Sequence, residues 1–250
     1  MNFKESTILI TGAGTGMGLA AAKWFSAQGS RVVMVARNEA RLKDEAAQLK
    51  NASYIACDLS QPDQLANLVE QIKLHHQDLN LVFLNAGVAA NYALLDNQQA
   101  YETSIREMQT NFHPVVYLSH ELAPLLELKK EAALIITTSG VAFAPDLSHP
   151  TYSATKAALH NYILGLRLVL QRKKSSIQLY ELMAPLVDSP FSQAVQSDLK
   201  VSPGSVIEDL VAGIENQEYE IRPGLSEEIY QTYLRSPTEA LLMVNQATGA

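Results

Sequence analysis

Residues 6–18 read STILITGAGTGMG, and this stretch decides the fold class of the 250-residue chain. Its first half, Ser6–Thr11, is a short apolar run that predicts a buried strand. The glycine-rich second half is followed by Leu19, Ala22 and Phe25 at helical spacing, so a strand–turn–helix unit is predicted. Because glycine adopts backbone conformations that other residues disfavour, this turn is suited to lie against an anion at the helix start.

The alternation of strand and helix continues along the chain. Apolar runs predict further strands at Arg31–Ala36, Ser53–Ala56, Leu79–Leu84, Ala132–Thr138, Ile177–Leu182 and Tyr219–Ile221. Helical patterns lie at Glu39–Lys50, Pro62–His75, Glu102–Leu128 (with bends at Pro114 and Pro124), Tyr152–Arg172, Ser205–Glu215 and from Ser226 onward. Apolar strands each followed by a helix are typical of a parallel sheet covered on both faces. The sequence therefore predicts one doubly wound α/β domain over residues 1–250, with a C-terminal helical extension from about residue 225.

Composition limits the classes of function. The formal charge of −7 argues against nucleic acid or an anionic membrane as the main partner, because both favour a basic face. The single cysteine, Cys57, excludes an internal disulfide and suits a reducing cytoplasm. No apolar stretch reaches the length of a membrane span, and the histidines lack metal-ligand spacing, so neither a span nor a metal site is predicted.

The glycine-rich turn is predicted to hold the pyrophosphate of a dinucleotide. Gly12 permits the tight turn, Gly16 lets the backbone approach the phosphates, and Gly18 lets helix and strand pack closely. The candidate binding residues of the turn are Gly12, Thr15, Gly16, Met17 and Gly18. The spacing departs from the usual G-x-G-x-x-G pattern, and a glycine-rich turn that binds nothing is the alternative.

The end of the second strand decides between NAD and NADP. NAD sites place an acidic side chain there to bind the ribose 2′-hydroxyl, and that carboxylate would repel a 2′-phosphate. Here Ala36 is followed by Arg37, and a guanidinium favours the additional phosphate. A solvated surface arginine is the alternative. NADP(H) is the predicted cofactor.

Tyr152 and Lys156 lie one helical turn apart on the same face of a predicted helix. A tyrosine with a pKa near ~10 is a poor acid–base at neutral pH, whereas an adjacent ammonium favours the phenolate and lowers its pKa. Ser139 follows an apolar strand, where its hydroxyl could bind a substrate oxygen, and Asn111 lies in the long helix. An ordinary amphipathic pair of side chains is the alternative to a catalytic group.

Together these motifs resemble the short-chain dehydrogenase/reductase family. The matching motifs are Thr11–Gly18, Asn85-Ala86-Gly87, Asn111, Ser139 and Tyr152 with Lys156, in an order and spacing that agree over almost the whole chain. The resemblance implies a Rossmann-type fold with a seven-stranded sheet. It implies that Tyr152 exchanges a proton with the substrate oxygen and that Ser139 orients this oxygen. Lys156 would tune Tyr152 and bind the nicotinamide ribose, while Asn111 would hold a water that links Lys156 to solvent.

The resemblance also implies the remaining cofactor contacts. Asp58 and Leu59 are expected beside the adenine, and Asn85, Ala86 and Gly87 along the middle of the cofactor. After the sixth strand the family usually has Pro-Gly, whereas this chain has Pro185-Leu186 and no glycine nearby. Pro185, Val187 and Ser189 are expected near the carboxamide. This departure, with the stretches 137–143 and 152–160, resembles the DltE-like branch, whose name by itself implies no cell-envelope role.

The implied activity is that of a carbonyl reductase or alcohol dehydrogenase on a small or medium organic substrate. A homodimer or homotetramer is expected by the same resemblance. The alternatives are an NADP(H)-binding regulator without turnover, which would tend to lose Tyr152 or Lys156, and an accessory protein that serves interaction only. Phe143, His149 and Met183 flank the predicted catalytic group and are candidates for the pocket wall, although Phe143 and Met183 fit a plain core equally well.

Overall fold

The apolar runs of the sequence form a seven-stranded parallel sheet in a computed structural model that describes residues 2–95 and 98–246. The strands are β1 (Thr7–Thr11), β2 (Arg31–Ala36), β3 (Ala52–Ala56), β4 (Leu81–Leu84), β5 (Ala132–Ser139), β6 (Ile177–Ala184) and β7 (Glu220–Ile221). The helices are α1 (Gly16–Ala27), α2 (Glu39–Ala46), α3 (Pro62–His75), α4 (Ala100–Asn111), α5 (His113–Glu127), α6 (Pro150–Lys173), α7 (Pro203–Asn216), α8 (Leu225–Arg235) and α9 (Pro237–Asn245). The predicted doubly wound α/β fold is confirmed; residues 247–250 of the predicted extension lie outside the described residues.

The strand order β3-β2-β1-β4-β5-β6-β7 places the β1–β4 pair at the point where the order reverses. In this pair Ile8 lies opposite Leu81, and Ile10 lies opposite Phe83. After β3 the chain crosses to the other side of β1, so the connections that follow β1 and β4 leave the sheet in opposite directions. Ligands of open parallel sheets bind in the crevice that opens outside the carboxyl ends of such strands.

Alternate residues of the central strands supply two cores, one on each face of the sheet. Ile8 and Ile10 belong to the core shared with α1, α2 and α7, whereas Leu9 belongs to the core shared with α3, α5 and α6. In the first core the Phe25 ring makes edge-to-face contacts with Phe3 and Trp24 at centroid distances of 5.5 and 5.0 Å. Burial on both faces is the reason that β1 reads as a continuous apolar run.

The predicted helix Glu102–Leu128 is two helices, α4 and α5, which meet at Phe112. Pro114, in the first turn of α5, has no N–H to continue the helix, and its ring crowds the carbonyl one turn earlier. The prediction of one bent helix is therefore wrong at Pro114, whereas Pro124 lies inside α5 without ending it. The break makes Asn111 the last residue of α4, and its side chain is completely buried.

The helix predicted from Ser226 is also two helices, α8 and α9. Ser236 between them is extended, and its side chain accepts a hydrogen bond from the N–H of Glu239. The next residue, Pro237, disfavours a helical conformation at Ser236, so α8 ends and α9 begins there. α9 packs against α8. None of the helices in the described part of the chain is long and apolar enough to cross a membrane.

The contact between Gly18 and Gly12 leads to a test of stability. A Cβ atom at Gly18 would lie 2.3 Å from the carbonyl oxygen of Gly12 and 2.9 Å from Nδ2 of Asn85. Because the backbone would have to move apart, we expect Gly18→Ala to lower the free energy of unfolding by about 1–3 kcal/mol or more. Urea denaturation followed by circular dichroism measures the change.

Gly165→Ala is the matched control, since Gly165 lies within α6 and a Cβ there would meet no described heavy atom within 4 Å. Alanine is the better helix former, so this substitution should raise the free energy of unfolding by up to ~1 kcal/mol. An unchanged denaturation midpoint in Gly18→Ala would contradict the close contact.

Candidate active site

The turn between β1 and α1 is held against the end of β4. Thr11 Oγ1 accepts hydrogen bonds from the backbone N–H groups of Asn85, at 2.9 Å, and Ala86, at 3.1 Å. Gly12 has a φ of +70°, and a Cβ atom on it would lie 3.0 Å from the Cα of Ala86. Only glycine accommodates both this conformation and this approach without strain. The turn is thereby fixed next to the crevice at the carboxyl edge of the sheet.

A cleft of about 810 Å³ follows this edge and brings most of the predicted site residues together. The predicted cofactor-binding residues that line it are Gly12, Thr15, Gly16, Met17, Arg37, Leu59, Asn85, Ala86, Gly87, Pro185, Val187 and Ser189. The predicted catalytic residues that line it are Ser139, Tyr152 and Lys156. Residues from the ends of β1, β2, β4, β5 and β6 thus share one concave surface.

Three predicted residues, Gly18, Asp58 and Asn111, lie beside or beneath the cleft of the described structure and do not line it. Gly18 is packed against Gly12. Asp58 Oδ1 accepts hydrogen bonds from the backbone N–H and the hydroxyl of Ser60, at 3.0 and 2.8 Å, so the carboxylate stabilises a local turn. A contact between Asp58 and an adenine stays a prediction.

Two arginines line the end of the cleft beside β2. Arg37 follows directly on this strand and is exposed. Arg41 lies on α2, with its Cδ 3.8 Å from the position of a Cβ at Gly14. Arg41 is absent from the predicted site residues. The position of Arg41 could have been predicted from Asn38. Asn38 is a capping residue whose side chain accepts a hydrogen bond from the N–H of Arg41, so Arg41 lies in the first turn of α2.

Tyr152 and Lys156 occupy the first turns of α6 and meet Ser139 at the end of β5. The Nζ of Lys156 lies over the Tyr152 ring, 5.5 Å from its centroid, and donates a hydrogen bond to the carbonyl oxygen of Thr137 at 2.8 Å. Ser139 hydrogen-bonds to the Tyr152 phenol, and its Oγ also donates to the carbonyl oxygen of Ala184 at 3.1 Å. A phenol, an amine and a hydroxyl are thus assembled in one part of the cleft.

Burial dominates the ionisation of the phenol and the amine. Burial and the negative charge of Glu107 raise the pKa of Tyr152 above its ordinary value, and the hydrogen bond with Ser139 opposes them only in part. Burial lowers the pKa of Lys156 to about 8, although the charge of Glu181 opposes it. Desolvation of the phenol is thus the largest influence on the pKa of Tyr152. The lowering of this pKa by Lys156 stays a prediction.

Asn111 joins α4 to the loop after β4 and to α6. Its Oδ1 accepts a hydrogen bond from the N–H of Val88 at 2.8 Å, and its Nδ2 donates to the carbonyl oxygen of Val88 at 2.9 Å. The same Nδ2 donates to Thr155 Oγ1 at 3.0 Å. Asn111 thus fixes the positions of Val88 and of Thr155, the residue that precedes Lys156. The bound water expected between Asn111 and Lys156 stays a prediction.

Glu107 is a functional candidate that the sequence analysis missed. This completely buried carboxylate accepts hydrogen bonds from the N–H of Ala90, at 2.7 Å, and from the hydroxyl of Thr151, at 2.5 Å. Thr151 immediately precedes Tyr152, so the charge of Glu107 lies close to the phenol. The available signal was its position one helical turn before Asn111, on the same face of α4.

Glu181 of β6 is a second completely buried carboxylate near Lys156. It accepts a hydrogen bond from the Thr138 hydroxyl at 2.6 Å, and the Nδ1 of His160 lies 3.1 Å from each of its oxygens. The hydrogen bond with Glu181 raises the pKa of His160. A carboxylate paired with an imidazole therefore supports the positive charge of Lys156 inside the protein.

The three flanking residues separate into pocket wall and interior. His149 lines the cleft, with its Nδ1 2.8 Å from Oδ2 of Asp146. Met183 is completely buried within β6. Phe143 packs on the ring of His160 at a centroid distance of 4.8 Å, outside the lining of the described cleft. Met183 is therefore a residue of the core, and His149 is part of the pocket wall.

Known proteins share this sequence pattern. The sequence profile of the short chain dehydrogenase family matches residues 6–200. An uncharacterized oxidoreductase of Bacillus subtilis (strain 168), DltE, is 35% identical over 193 residues, which are 77% of this chain and 76% of that protein. The chain therefore belongs to the short-chain dehydrogenase/reductase family of oxidoreductases, in its DltE-like branch.

Solved structures share the fold at low sequence identity. A short-chain dehydrogenase from Burkholderia cenocepacia J2315 in complex with NADP has a TM-score of 0.85 at 21% identity, covering 97% of this chain and 98% of that one. A short-chain dehydrogenase/reductase from Burkholderia phymatum in complex with NAD has a TM-score of 0.84 at 19% identity, covering 98% and 97%. A nicotinamide dinucleotide is thus the cofactor of these structural neighbours, one holding NADP and the other NAD.

Proposed function

We propose that the chain is an NADPH-dependent carbonyl reductase, which in reverse oxidises the corresponding alcohol. The assembly of Tyr152, Lys156 and Ser139 in one part of a cleft carries this proposal. A phenol that exchanges a proton, beside a hydroxyl that holds the substrate oxygen, is the arrangement that hydride transfer to a carbonyl requires.

The residues of the cleft fit a dinucleotide phosphate. Within the described part of the chain, the Thr15 side chain accepts no hydrogen bond from the first turn of α1, so these N–H groups are available to a pyrophosphate. Gly16 has a φ of +53°, and a Cβ on it would lie 3.2 Å from the Cβ of Ser189. Arg37 supports NADP(H) over NAD(H), because its charge would bind the 2′-phosphate. When bound, the nicotinamide supplies or accepts the hydride.

The ionisation of the site favours reduction. The raised pKa of Tyr152 keeps its phenol protonated at neutral pH, and the protonated form is the one that donates to a carbonyl oxygen. The Ser139 hydroxyl, which donates to the Ala184 carbonyl oxygen in the structure, would rotate to donate to the substrate oxygen and stabilise negative charge there. Lys156 holds the Thr137 carbonyl and leaves its remaining N–H groups for the ribose hydroxyls. Asn111 holds the loop after β4 against the start of α6 through hydrogen bonds with Val88 and Thr155.

A homodimer or homotetramer remains part of the proposal. On α6 the side chains of Leu164, Leu168 and Val169 are exposed. A groove on α5 and α6 adds an apolar surface lined by Phe112, His113, Val116, Tyr117, His120 and Tyr162. Contiguous exposed apolar surface of this kind marks contact faces between proteins. The size of the assembly is measurable by sedimentation.

Replacement of the proposed proton donor tests the mechanism. We expect Tyr152→Phe to lower kcat for carbonyl reduction by roughly 10²–10⁴-fold, because the phenolic proton is lost, while NADPH affinity stays nearly unchanged. Loss of NADPH absorbance across a carbonyl panel measures turnover, and NADPH fluorescence measures binding. Tyr101→Phe, at an exposed position, is the control. Retained activity would remove Tyr152 from the mechanism, and a silent panel with tight NADPH binding by the wild type would favour a regulator.

Replacement of Arg37 tests the choice of cofactor. We expect Arg37→Ala to weaken NADPH binding roughly 10- to 100-fold, because a charge-assisted contact with the 2′-phosphate is lost, and to leave NADH binding unchanged. Fluorescence titration gives both dissociation constants, with Arg106→Ala at an exposed position of α4 as the control. NADH binding to the wild type as tightly as NADPH would contradict the assignment.

The charge of Glu107 leads to a pH-dependence. Gln at this position keeps an acceptor for the Ala90 N–H and a donor for the Thr151 oxygen, but removes the charge that raises the pKa of Tyr152. In Glu107→Gln the pKa of Tyr152 should fall, so phenolate forms at lower pH. Alcohol oxidation at about pH 8 should then become roughly tenfold faster, and the loss of carbonyl reduction at alkaline pH should begin earlier.

The pH profiles of kcat/KM in both directions measure this change, with Glu102→Gln at an exposed position of α4 as the control. Other groups facing Tyr152 are Lys156 and Ser139, which are unaltered in both variants. Profiles of Glu107→Gln that coincide with those of the wild type would show that its charge does not reach Tyr152.

A further inference from the structure

The charged side chains that line the cleft are sorted by sign along it. Within the described lining, the cationic side chains are Arg37 and Arg41 at the nucleotide end and the buried Lys156. The acidic side chains are Asp146, in the loop between β5 and α6, and Glu228 on α8. Asp146 lies close to Tyr152, because its backbone N–H donates a hydrogen bond to Ser153 Oγ at 3.1 Å. The helix of Glu228, α8, packs on the same loop through the contact of Tyr230 with Phe143, 4.9 Å between ring centroids. The cleft therefore has a basic end, for cofactor phosphates, and an acidic end.

Asp146 is an anion at neutral pH. Burial tends to raise its pKa, but hydrogen bonds from the His149 ring and the Ser148 N–H outweigh burial and hold the pKa below its ordinary value. Glu228 is exposed at the rim. A like charge placed near the partly buried Asp146 is disfavoured, and the exposed Glu228 adds a weaker repulsion that solvent screens.

Most of the other side chains at the acidic end are apolar, and the polar Gln196, Ser197 and Ser226 lie among them. The Phe191 ring lies 5.6 Å from the Tyr152 ring between centroids, and about half of its surface is exposed toward solvent. The other apolar side chains that line this end are Val141, Val195, Leu199, Leu225, Ile229, Met243 and Val244. Such a wall removes apolar substrate surface from water.

The wall of α9 is fixed in place. Asn245 at its end accepts a hydrogen bond from the N–H of Leu147 at 2.8 Å and donates one to the carbonyl oxygen of Pro145 at 2.9 Å. These bonds tie the helix that carries Met243 and Val244 to the loop that carries Asp146. The apolar wall and the acidic group are thus parts of one rigid boundary.

We infer that the substrate is an apolar carbonyl compound with a neutral or cationic tail, and that carboxylates and phosphate esters are excluded by Asp146 and Glu228. The inference rests on the proposed function for the carbonyl group. It adds the chemistry of the remainder of the substrate.

Three ketones of one skeleton test the inference: 4-phenylbutan-2-one and its derivatives with a para-carboxylate or a para-trimethylammonium group. We expect kcat/KM with NADPH to be at least about tenfold lower for the carboxylate than for the other two ketones, because only the carboxylate brings a negative charge to the acidic end. Glu228→Lys should raise kcat/KM for the carboxylate at least about tenfold relative to the neutral ketone. Glu215→Lys, at an exposed position of α7 outside the cleft lining, is the charge-matched control and should leave the ratio unchanged.

The same compounds are also titrated into the NADPH-bound protein, with cofactor fluorescence as the readout. If none is reduced but the carboxylate binds worst, the proposed function is overturned and the charge preference is supported. Carboxylate reduction or binding equal to that of the neutral ketone would overturn the inference, as would an unchanged ratio in Glu228→Lys. Absence of binding by all three compounds would overturn the apolar pocket.

Discussion

The hydrogen bonds from the end of β4 to the Thr11 hydroxyl are the constraint on which the rest of the site depends. They attach the glycine-rich turn, which follows β1, to the end of β4. β1 and β4 are neighbours at the point where the strand order reverses, and they are not consecutive in the chain. The same strand end continues into Gly87, where a Cβ would lie 3.5 Å from Asn111 Oδ1 and 3.9 Å from Lys156 Nζ. A short run of backbone therefore connects the glycine-rich turn to the amine of Lys156, and neither can move far without the other.

Much of the fold was predictable because its signals are local. The buried strand β1 is recognisable in the sequence as an apolar run. Ile8 is buried on one face of the parallel sheet and Leu9 on the other, which is why the run is continuous. The predicted single helix Glu102–Leu128 is wrong because Pro114 interrupts it. A proline in the first turn of a helix is compatible with that helix but not with an uninterrupted one before it. Sequence periodicity continues across such a break, since both helices have a buried face: α4 packs against α5 and α6, and α5 packs against the sheet.

The site was less predictable where it depends on contacts between distant segments. The spacing of Tyr152 and Lys156 indicates their proximity, but the pKa of the phenol is set by burial and by Glu107, which reaches it from another helix. Likewise, Lys156 depends on Glu181, contributed by β6. Both carboxylates are completely buried, and each has hydrogen-bond donors for its oxygens, which is the condition under which buried charge is tolerated. Along the chain, Glu107 is connected to the predicted catalytic residues only by its spacing to Asn111, and no spacing rule pairs Glu181 with them.

Asn245 attaches α9 to the loop between β5 and α6. The apolar wall of the cleft and the group formed by Tyr152, Lys156 and Ser139 therefore lie on different elements. The residues proposed for proton exchange lie on α6 and at the end of β5, whereas Met243 and Val244 lie on α9. Replacements of Met243 or Val244 would therefore reshape the wall of the cleft while leaving the elements that hold Tyr152, Lys156 and Ser139 unaltered.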